Sequence, residues 1–320
     1  MKIVVVGGGP IGSKLVTHLR DCGHEAVAAA PGTGVDTLTG EGLAEVLASA
    51  AVVIDVASPP PLEDAAVLEF FATSTRNLLA AEAAAGVGHH VVLSAVGIER
   101  LQRSGYFRAK TAQEKLIEDS ALPYSIVHAT QFFEYLPSLA EAATDGGTAR
   151  FAAVLFQPIA EDDAVRVIGK ISLGPPLNGK VEVAGPEQFR MDEFFRNALA
   201  ARDDPRTVVT DWHAGFFGAQ LAEGTLLPGA GAVLGSTRYR DWPGGSAAGG
   251  DASLHELDRY VRTELILAET SQPEDEAVAL PIEEWLFDPE DGPRYEASLH
   301  SLLGAVEVLE ERDGSQTEVR

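Results

Sequence analysis

The first nineteen residues constrain the fold of this chain more than any other stretch. An apolar, mostly β-branched run ends at Val6, four glycines follow between positions 7 and 12, and apolar residues then recur at helical spacing up to Leu19. The pattern predicts a strand, a glycine turn and a helix. A turn that merely joins two elements is the simpler interpretation of glycines alone, so the flanking strand and helix carry the argument.

The glycines at positions 7, 9 and 12 fit the spacing G-x-G-x-x-G. In that motif the first glycine permits a tight turn, the second lets the backbone approach a pyrophosphate, and the third lets the helix pack on the strand. Unpaired N–H groups and the helix dipole favour an anion at the start of the helix. The sequence therefore predicts a dinucleotide site contacted by Gly7, Gly9, Pro10, Ile11 and Gly12.

The end of the second predicted strand, Glu25 to Ala30, bears on the choice of cofactor. An acidic residue there would bind the adenosine ribose of NAD, and an arginine would accommodate the extra phosphate of NADP. The sequence has neither, which leaves Ala30, Thr33 and the loop backbone as the predicted contacts. NAD and NADP both stay open, with a slight preference for NADP because no carboxylate repels its phosphate.

Further strands and helices alternate along the chain. The apolar run Ala51 to Val56 predicts a buried third strand, whose carboxyl end brings Val56, Ala57 and Ser58 to the adenosine side of the site. A strand end before a proline turn is the alternative for these three residues. A helix follows, and a fourth strand ends at Ser94. The alternation predicts right-handed βαβ crossovers and an α/β, Rossmann-type doubly wound parallel sheet.

A serine, a tyrosine and a lysine suggest chemistry at this sheet edge. Ser94 ends the fourth strand, and Tyr106 and Lys110 lie four residues apart on the next predicted helix, hence one turn apart on one face. An ammonium near a phenol stabilises the phenolate and lowers the pKa of tyrosine toward a value useful for acid–base catalysis. Ser94 could bind the same substrate oxygen. An ordinary amphipathic helix is the alternative.

With these residues in place, the chain resembles the short-chain dehydrogenase/reductase superfamily, and within it the atypical, NmrA-like NAD(P)-binding proteins. The resemblance rests on the glycine loop, the Ser94, Tyr106 and Lys110 set, and the run Thr75 to Ala81, and it covers roughly residues 1 to 243. It implies that the tyrosine transfers a proton, the lysine also holds the nicotinamide ribose, and the serine orients a carbonyl that receives hydride from the nicotinamide.

Two departures from the family pattern stand out. Many of these dehydrogenases carry a proton-relay asparagine where this chain has Phe70 and Phe71, and related proteins often carry arginine where it has His128, to which we assign no catalytic role. Aromatic residues after the fifth predicted strand could wall a nicotinamide pocket for a planar or apolar substrate, although core packing explains them equally well. They are Phe132, Phe133 and Tyr135, next to Gln131.

The domain organisation follows from composition. We predict an NAD(P)-binding core over residues 1–150, a substrate-facing portion of the same domain over 151–243, a Gly/Ser-rich linker over 244–250 and an extension over 251–320. The extension carries 19 acidic and 5 basic residues. It reads equally well as a helical appendage that packs on the core or forms a homo-oligomer, and as an acidic solubilising tail. We also expect a helix over Trp212 to Leu221 and a buried Cys22.

The charge balance excludes several partners. The chain has 24 Lys and Arg against 48 Asp and Glu, a net charge of −24, which opposes binding to nucleic acid and to anionic membranes. A single cysteine, the lack of a membrane-spanning apolar run and the lack of a leader pattern lead us to expect a cytoplasmic protein. The partner expected is a small-molecule substrate.

Two functional hypotheses follow. The first is an NAD(P)H-dependent oxidoreductase that transfers hydride to a carbonyl, quinone or similar small conjugated molecule. The alternative is a non-catalytic NAD(P)-sensing regulatory protein of the NmrA type. The complete serine, tyrosine and lysine set favours the enzyme, whereas the missing asparagine and the acidic extension favour the sensor.

Overall fold

The computed structural model describes residues 1–59 and 64–245. The larger part of the predicted linker, from residue 246, and the whole predicted extension over 251–320 lie outside the described residues. Within the described ranges, no helix has both the length and the apolar character needed to cross a membrane.

Strands and helices alternate through the first half of the chain, as the sequence predicts. The strands are β1 (Lys2–Val6), β2 (Glu25–Ala29), β3 (Ala50–Asp55), β4 (His89–Ala95), β5 (Tyr124–Ala129), β6 (Thr144–Asp145), β7 (Thr148–Phe151), β8 (Leu155–Phe156), β9 (Gly179–Ala184), β10 (Phe189–Arg190), β11 (Thr207–Thr210), β12 (Gly215–Phe216), β13 (Ala219–Gln220) and β14 (Val233–Leu234). The α-helices are α1 (Pro10–Asp21), α2 (Leu43–Leu47), α3 (Asp64–Ala85), α4 (Gly105–Glu118), α5 (Leu136–Ala142), α6 (Glu161–Leu173) and α7 (Met191–Ala200).

Seven parallel strands form the central sheet in the order β14-β9-β5-β4-β3-β1-β2. The order reverses at β1, which pairs with β2 on one side and with β3 on the other. In a doubly wound sheet, the crevice for a ligand lies at such a switch point, outside the carboxyl ends of the strands. The predicted α/β, Rossmann-type fold is confirmed, and the glycine turn lies at this crevice.

Alternating side chains bury both faces of the sheet. In β1, Ile3 and Val5 join a core with α1 and α6, whereas Val4 and Val6 join a core with α2 and α3. A parallel sheet covered on both faces requires such continuous apolar strands. The polar residues that break this pattern at the carboxyl ends of β3 and β4 therefore stand out as candidates for function.

Residues beyond position 150 contribute to two different places. The central sheet is extended by strands β9 and β14, and helix α6 packs against it. A second, aromatic core lies beside the sheet. In that core the Phe151 and Phe195 rings stack with centroids 4.0 Å apart, and Phe133 and Phe156 are fully buried. The second core fixes the segments that pass over the carboxyl edge of the sheet.

Two local predictions are wrong. The helix expected over Trp212 to Leu221 is instead a hairpin of β12 and β13, because Phe217 (φ 49°) and Gly218 (φ 77°) adopt left-handed conformations that form a turn and end any helix. Cys22, expected to be buried, is exposed because it follows the last turn of α1 as its cap residue and points away from the sheet core.

Candidate active site

In the glycine loop between β1 and α1, close packing requires glycine at two positions, and glycine at a third position leaves open space beside the loop. A Cβ at position 12 would lie 2.0 Å from the Gly7 carbonyl oxygen, and a Cβ at position 7 would lie 2.9 Å from the Val56 carbonyl carbon. Gly7 also has φ +117°, a conformation that side chains disfavour. A Cβ at position 9 would meet no atom within 4 Å, so the loop leaves open space beside Gly9.

This open space lies at the start of α1. Gly9 is the N-cap residue, no side chain caps the helix, and Pro10 occupies its first turn. Ile11 and Gly12 are buried behind it. First-turn N–H groups without a capping side chain, together with the positive end of the helix dipole, fit a pyrophosphate. The loop could therefore hold the phosphates of a dinucleotide with its backbone alone.

The turn after β2 is stabilised by hydrogen bonds of the Thr33 side chain, which lies within the turn. Thr33 Oγ1 accepts a hydrogen bond from the Ala30 N–H at 3.0 Å and lies 2.9 Å from the Ala30 carbonyl oxygen, to which it can donate. The Thr33 hydroxyl thus shapes the turn at the adenosine side. The last residues of β2 carry no acidic side chain, as the sequence indicates. Contacts from this loop to an adenosine ribose would come mainly from the backbone.

The segment after β3 packs directly on the glycine loop. The Val56 N–H donates to the Val6 carbonyl at 2.9 Å, and the Ala57 N–H donates to Asp55 Oδ1 at 2.9 Å. Asp55 itself is 4% exposed. Val56 and Ala57, both predicted cofactor contacts, therefore lie beside Gly7, while Ser58 is exposed at the same sheet edge.

Helix α4 is fixed at its start by contacts to α3. A Cβ at Gly105 would lie 1.9 Å from the Asp64 carboxyl carbon, so a larger residue there would have to displace this side chain, and Arg108 Nη2 donates to Asp64 Oδ2 at 2.8 Å. These contacts place Tyr106, the next residue, at the carboxyl edge of the sheet. Lys110 follows one turn further along the same helix.

Lys110 is a buried charge beneath this edge. Its Nζ donates to the Leu93 carbonyl at 2.9 Å and to Gln113 Oε1, and it lies 4.8 Å from the centroid of the Phe71 ring. Burial lowers the pKa of Lys110 to about 8, although the charges of Asp55 and Glu114 act in the opposite direction. Two hydrogen bonds thus hold the ammonium in position, and the residue is 4% exposed.

Tyr106 sits among aromatic rings. Its ring centroid lies 5.9 Å from Phe71, 5.3 Å from Phe107 and 6.0 Å from Phe217. Tyr106 and Lys110 thus both contact Phe71, which belongs to the pair that replaces the asparagine of the family pattern. The structure brings the predicted tyrosine and lysine together around an apolar ring.

Ser94 belongs to a different cluster, centred on Glu114. The Ser94 hydroxyl donates to Glu114 Oε1, His128 Nε2 lies 2.9 Å from the same oxygen, and Lys180 Nζ donates to Oε2 at 2.7 Å. Burial alone would raise the pKa of Glu114, but the hydrogen bonds and charges of its partners, His128 first, lower it to about 2. His128 therefore binds a carboxylate rather than standing alone at a strand end.

Polar atoms without a partner mark the carboxyl end of β5. Thr130 Oγ1 and Gln131 Oε1 are buried and make no hydrogen bond within the described residues. Because buried polar groups are normally paired, these two atoms suit the carboxamide or ribose of a nicotinamide. Of the aromatic residues expected there, Phe133 is fully buried in the second core, whereas Phe132 and Tyr135 pack against each other near this position.

Sequence reasoning overlooked several residues of this site. Gln113 lies three residues after Lys110, and that spacing alone places both on one helix face. Glu114, in contrast, meets Ser94, His128 and Lys180 from three different strands, and no local pattern in the sequence predicts that meeting.

Comparison with known proteins agrees with this geometry. Residues 7–154 match the family model of NAD(P)H-binding domains. No curated protein matches the chain by sequence.

Solved structures with a similar fold include MoeE5 in complex with UDP-glucose and NAD, with 17% identity, a TM-score of 0.55, and coverage of 85% of this chain and 99% of MoeE5. They also include the NAD-dependent NDP-hexosamine 5,6-dehydratase TunA, with 16% identity, a TM-score of 0.54, and coverage of 85% and 98%. A short-chain dehydrogenase/reductase superfamily protein from Agrobacterium tumefaciens with bound NAD has 16% identity, a TM-score of 0.54, and coverage of 84% and 98%.

At these identities the solved structures show the fold alone, and the family model indicates the class of cofactor, NAD(P)H. The similarity to NAD(P)H-binding domains is confirmed over residues 7–154, whereas the superfamily and its NmrA-like subgroup stay predictions. The chain shares its overall fold with MoeE5 and with the Agrobacterium tumefaciens protein.

Proposed function

We propose that this protein is an NAD(P)H-dependent oxidoreductase that reduces a carbonyl, quinone or similar small conjugated molecule. The NAD(P)H-binding domain supports the cofactor. The observation that carries the proposal is the pairing of Tyr106 with Lys110 across the Phe71 ring, one helical turn apart, at the edge where the cofactor site lies. A phenol beside a buried ammonium suits a proton donor.

In this proposal Lys110 has two tasks. With a pKa near 8 it is charged at neutral pH, and an ammonium close to a phenol favours the phenolate form. Its Nζ also reaches a nicotinamide ribose at the sheet edge. Bound NAD(P)H supplies the hydride that adds to the substrate carbon, and Tyr106 donates the proton that the substrate oxygen then takes up.

Ser94 is the proposed hydrogen-bond partner of the substrate oxygen. Its hydroxyl donates to Glu114 in the structure. To donate to a substrate, the hydroxyl has to rotate away from that carboxylate, whereas accepting a hydrogen bond requires no such change. We therefore assign Ser94 a smaller contribution than Tyr106.

The surroundings of Tyr106 favour a planar or apolar substrate. The ring centroids of Phe71, Phe107 and Phe217 lie between 5.3 and 6.0 Å from that of Tyr106. Such surfaces contribute affinity by burial and edge-to-face contacts rather than by charge. For the cofactor we propose a slight preference for NADP, because the end of β2 has no carboxylate to repel its extra phosphate.

The alternative, an NAD(P)-sensing regulatory protein of the NmrA type, is favoured by two observations. Ser94 is bonded to Glu114, and Phe71 occupies the place of a proton-relay asparagine. A protein that binds the cofactor without turnover needs neither a free serine hydroxyl nor a proton supply.

A cofactor oxidation assay separates the two functions. Purified protein is mixed with NADPH or NADH and a panel of quinones, aldehydes and a nucleotide sugar, because MoeE5 was solved with UDP-glucose. Turnover is followed at the nicotinamide absorbance band. We expect oxidation with a planar substrate and, for Tyr106→Phe, a loss of roughly a hundredfold or more with unchanged cofactor affinity. Saturable binding without oxidation across the panel would instead support the sensor.

A further inference from the structure

Gln113 lies between Lys110 and Asp55 and is bonded to both. It is 1% exposed. Its Oε1 accepts a hydrogen bond from Lys110 Nζ, and its Nε2 donates to Asp55 Oδ2 at 3.0 Å and to Thr75 Oγ1 at 3.2 Å. The orientation of this amide is fixed by chemistry, because an ammonium can only donate and a carboxylate can only accept.

The other oxygen of Asp55 continues the path toward the glycine loop. Asp55 Oδ1 accepts the Ala57 N–H at 2.9 Å, and a Cβ on Gly7 would lie 3.0 Å from the same Ala57 nitrogen. A continuous chain of contacts therefore runs from the pyrophosphate loop through Ala57, Asp55 and Gln113 to Lys110. The side chains of Asp55, Gln113 and Lys110 are all buried.

The glutamine also separates two opposite charges. A lysine and an aspartate in direct contact would form an ion pair that satisfies the ammonium within the protein. With Gln113 between them, Lys110 uses two of its three N–H groups, for Leu93 O and Gln113 Oε1. The third makes no hydrogen bond within the described residues, and the Phe71 ring centroid lies 4.8 Å from Nζ. The arrangement keeps the ammonium fixed in position and still able to donate.

We propose that Gln113 is a positioning residue that ties Lys110 to the glycine loop, so that the ribose-binding ammonium is held at a set distance from the pyrophosphate site. The inference rests on the proposed function in one respect, namely that Lys110 contacts the nicotinamide half of the cofactor. It does not require turnover.

Fragment binding tests the proposal. The affinities of NADPH and of its adenosine half, adenosine 2′,5′-bisphosphate, are measured by calorimetry for the wild type, Gln113→Met, Lys110→Met and the double variant. Loss of one buried hydrogen bond to a charged group corresponds to roughly tenfold in affinity. We expect Gln113→Met to bind NADPH about tenfold more weakly and the adenosine half unchanged, and the double variant to bind no more weakly than Lys110→Met.

Gln102→Met is the control for a general effect on α4. Gln102 Nε2 also makes two hydrogen bonds, to Ile98 O at 2.7 Å and to Thr111 Oγ1 at 2.8 Å on α4, but Gln102 is exposed and is not hydrogen-bonded to Asp55 or Lys110. We expect its NADPH affinity to equal that of the wild type. Equal weakening in both methionine variants would overturn the proposal, because it would show a general effect on α4.

A conservative variant adds a readout that a purely structural role would not change. Gln113→Glu keeps an acceptor for Lys110 but loses the Nε2 donor to Asp55 and places a second carboxylate beside it, so we expect NADPH to bind about tenfold more weakly at neutral pH, as in Gln113→Met. The added carboxylate should shift the alkaline loss of NADPH affinity to higher pH. The other charged groups that face Lys110, which are Asp55, Glu114 and the Glu82–His90 pair, are unchanged. An unshifted pH profile would contradict the inference.

The outcomes separate the two proposals. If Lys110→Met binds NADPH as the wild type does, the role given to Lys110 under the proposed function fails, and the present inference fails with it. If Lys110→Met is weak and Gln113→Met is not, the inference alone fails. Additive losses in the double variant would likewise overturn it, because Gln113 would then act on binding without Lys110.

Discussion

The two ends of the proposed cofactor site are built in opposite ways. At the glycine loop, backbone atoms and the absence of side chains shape the site. A Cβ on Gly7 or Gly12 would meet backbone atoms, and a Cβ on Gly9 would meet no atom within 4 Å. At the other end, Lys110 is a buried charged group held by side-chain and backbone hydrogen bonds. Steric fit of the backbone therefore determines the glycine-loop end, and the charges around Lys110 determine the other end.

The two ends should therefore respond differently to substitution and to pH. Added atoms at the glycine loop act through steric overlap, which does not depend on pH. Changes around Lys110 and Glu114 act through protonation, because burial and partners shift their pKa values in the folded state.

Substituting alanine at two glycines of the loop should separate packing from access. In Gly12→Ala the new Cβ would lie 2.0 Å from a backbone oxygen that cannot rotate away, so we expect a loss of stability of about 3 kcal/mol or more and loss of NADPH binding. In Gly9→Ala the Cβ meets nothing within 4 Å, so the folded protein should keep its stability but bind NADPH more weakly.

Urea unfolding and NADPH titration check both variants at two pH values. Equal stability losses in the two would show that the loop is not specified by the packing around Gly12. A dependence of either loss on pH would contradict the distinction between the two ends.

The same contrast explains what could be predicted from the sequence. The glycine loop and the sheet were predictable because their signals are local: a glycine spacing, an apolar strand and helical periodicity. The Ser94 hydroxyl meets Glu114 twenty residues away and shares it with Lys180, a further 66 residues along. Such meetings depend on strand order and register, which no local pattern encodes. The Trp212 to Leu221 helix failed for a related reason, since apolar spacing cannot reveal the left-handed turn at Phe217.

Lys110 should make stability rise with pH in the alkaline range. Its pKa is about 8 in the folded protein against 10.5 in the unfolded chain, so the unfolded state binds more protons between these values. The cost of the buried charge is complete below pH 8 and disappears by about pH 10.5, a gain of about 3 kcal/mol at 1.36 kcal/mol for each pKa unit. Urea unfolding from neutral to alkaline pH measures it.

Lys110→Met is the control for that slope. The variant has no ammonium to titrate, so its stability should lack the alkaline rise that the wild type shows. Parallel stability curves for the two proteins would mean that Lys110 keeps an ordinary pKa and is not a buried charge.

Glu114 should also make stability rise with pH, but in the acid range. Its pKa is about 2 in the folded protein against 4.5 unfolded, so its stabilising contribution is complete above pH 4.5 and is lost as the pH falls toward 2. We expect about 2 kcal/mol, less than the full shift implies, because the partner Lys180 is nearly half exposed and screened by solvent. Glu114→Gln should be less stable at neutral pH and should lose less stability on acidification.

The smallest expected effect concerns Ser94, and it decides whether the Glu114 cluster takes part in catalysis. The serine hydroxyl is committed to a carboxylate by a charge-assisted bond, and an exchange for a substrate oxygen gains little net free energy. Ser94→Ala should therefore reduce turnover by about tenfold or less, well below the loss expected for Tyr106→Phe. Turnover of the two variants is compared under saturating NADPH. A loss at Ser94 as large as that at Tyr106 would mean that the Glu114 cluster opens when substrate binds and that the serine hydroxyl donates to the substrate oxygen instead of to the carboxylate.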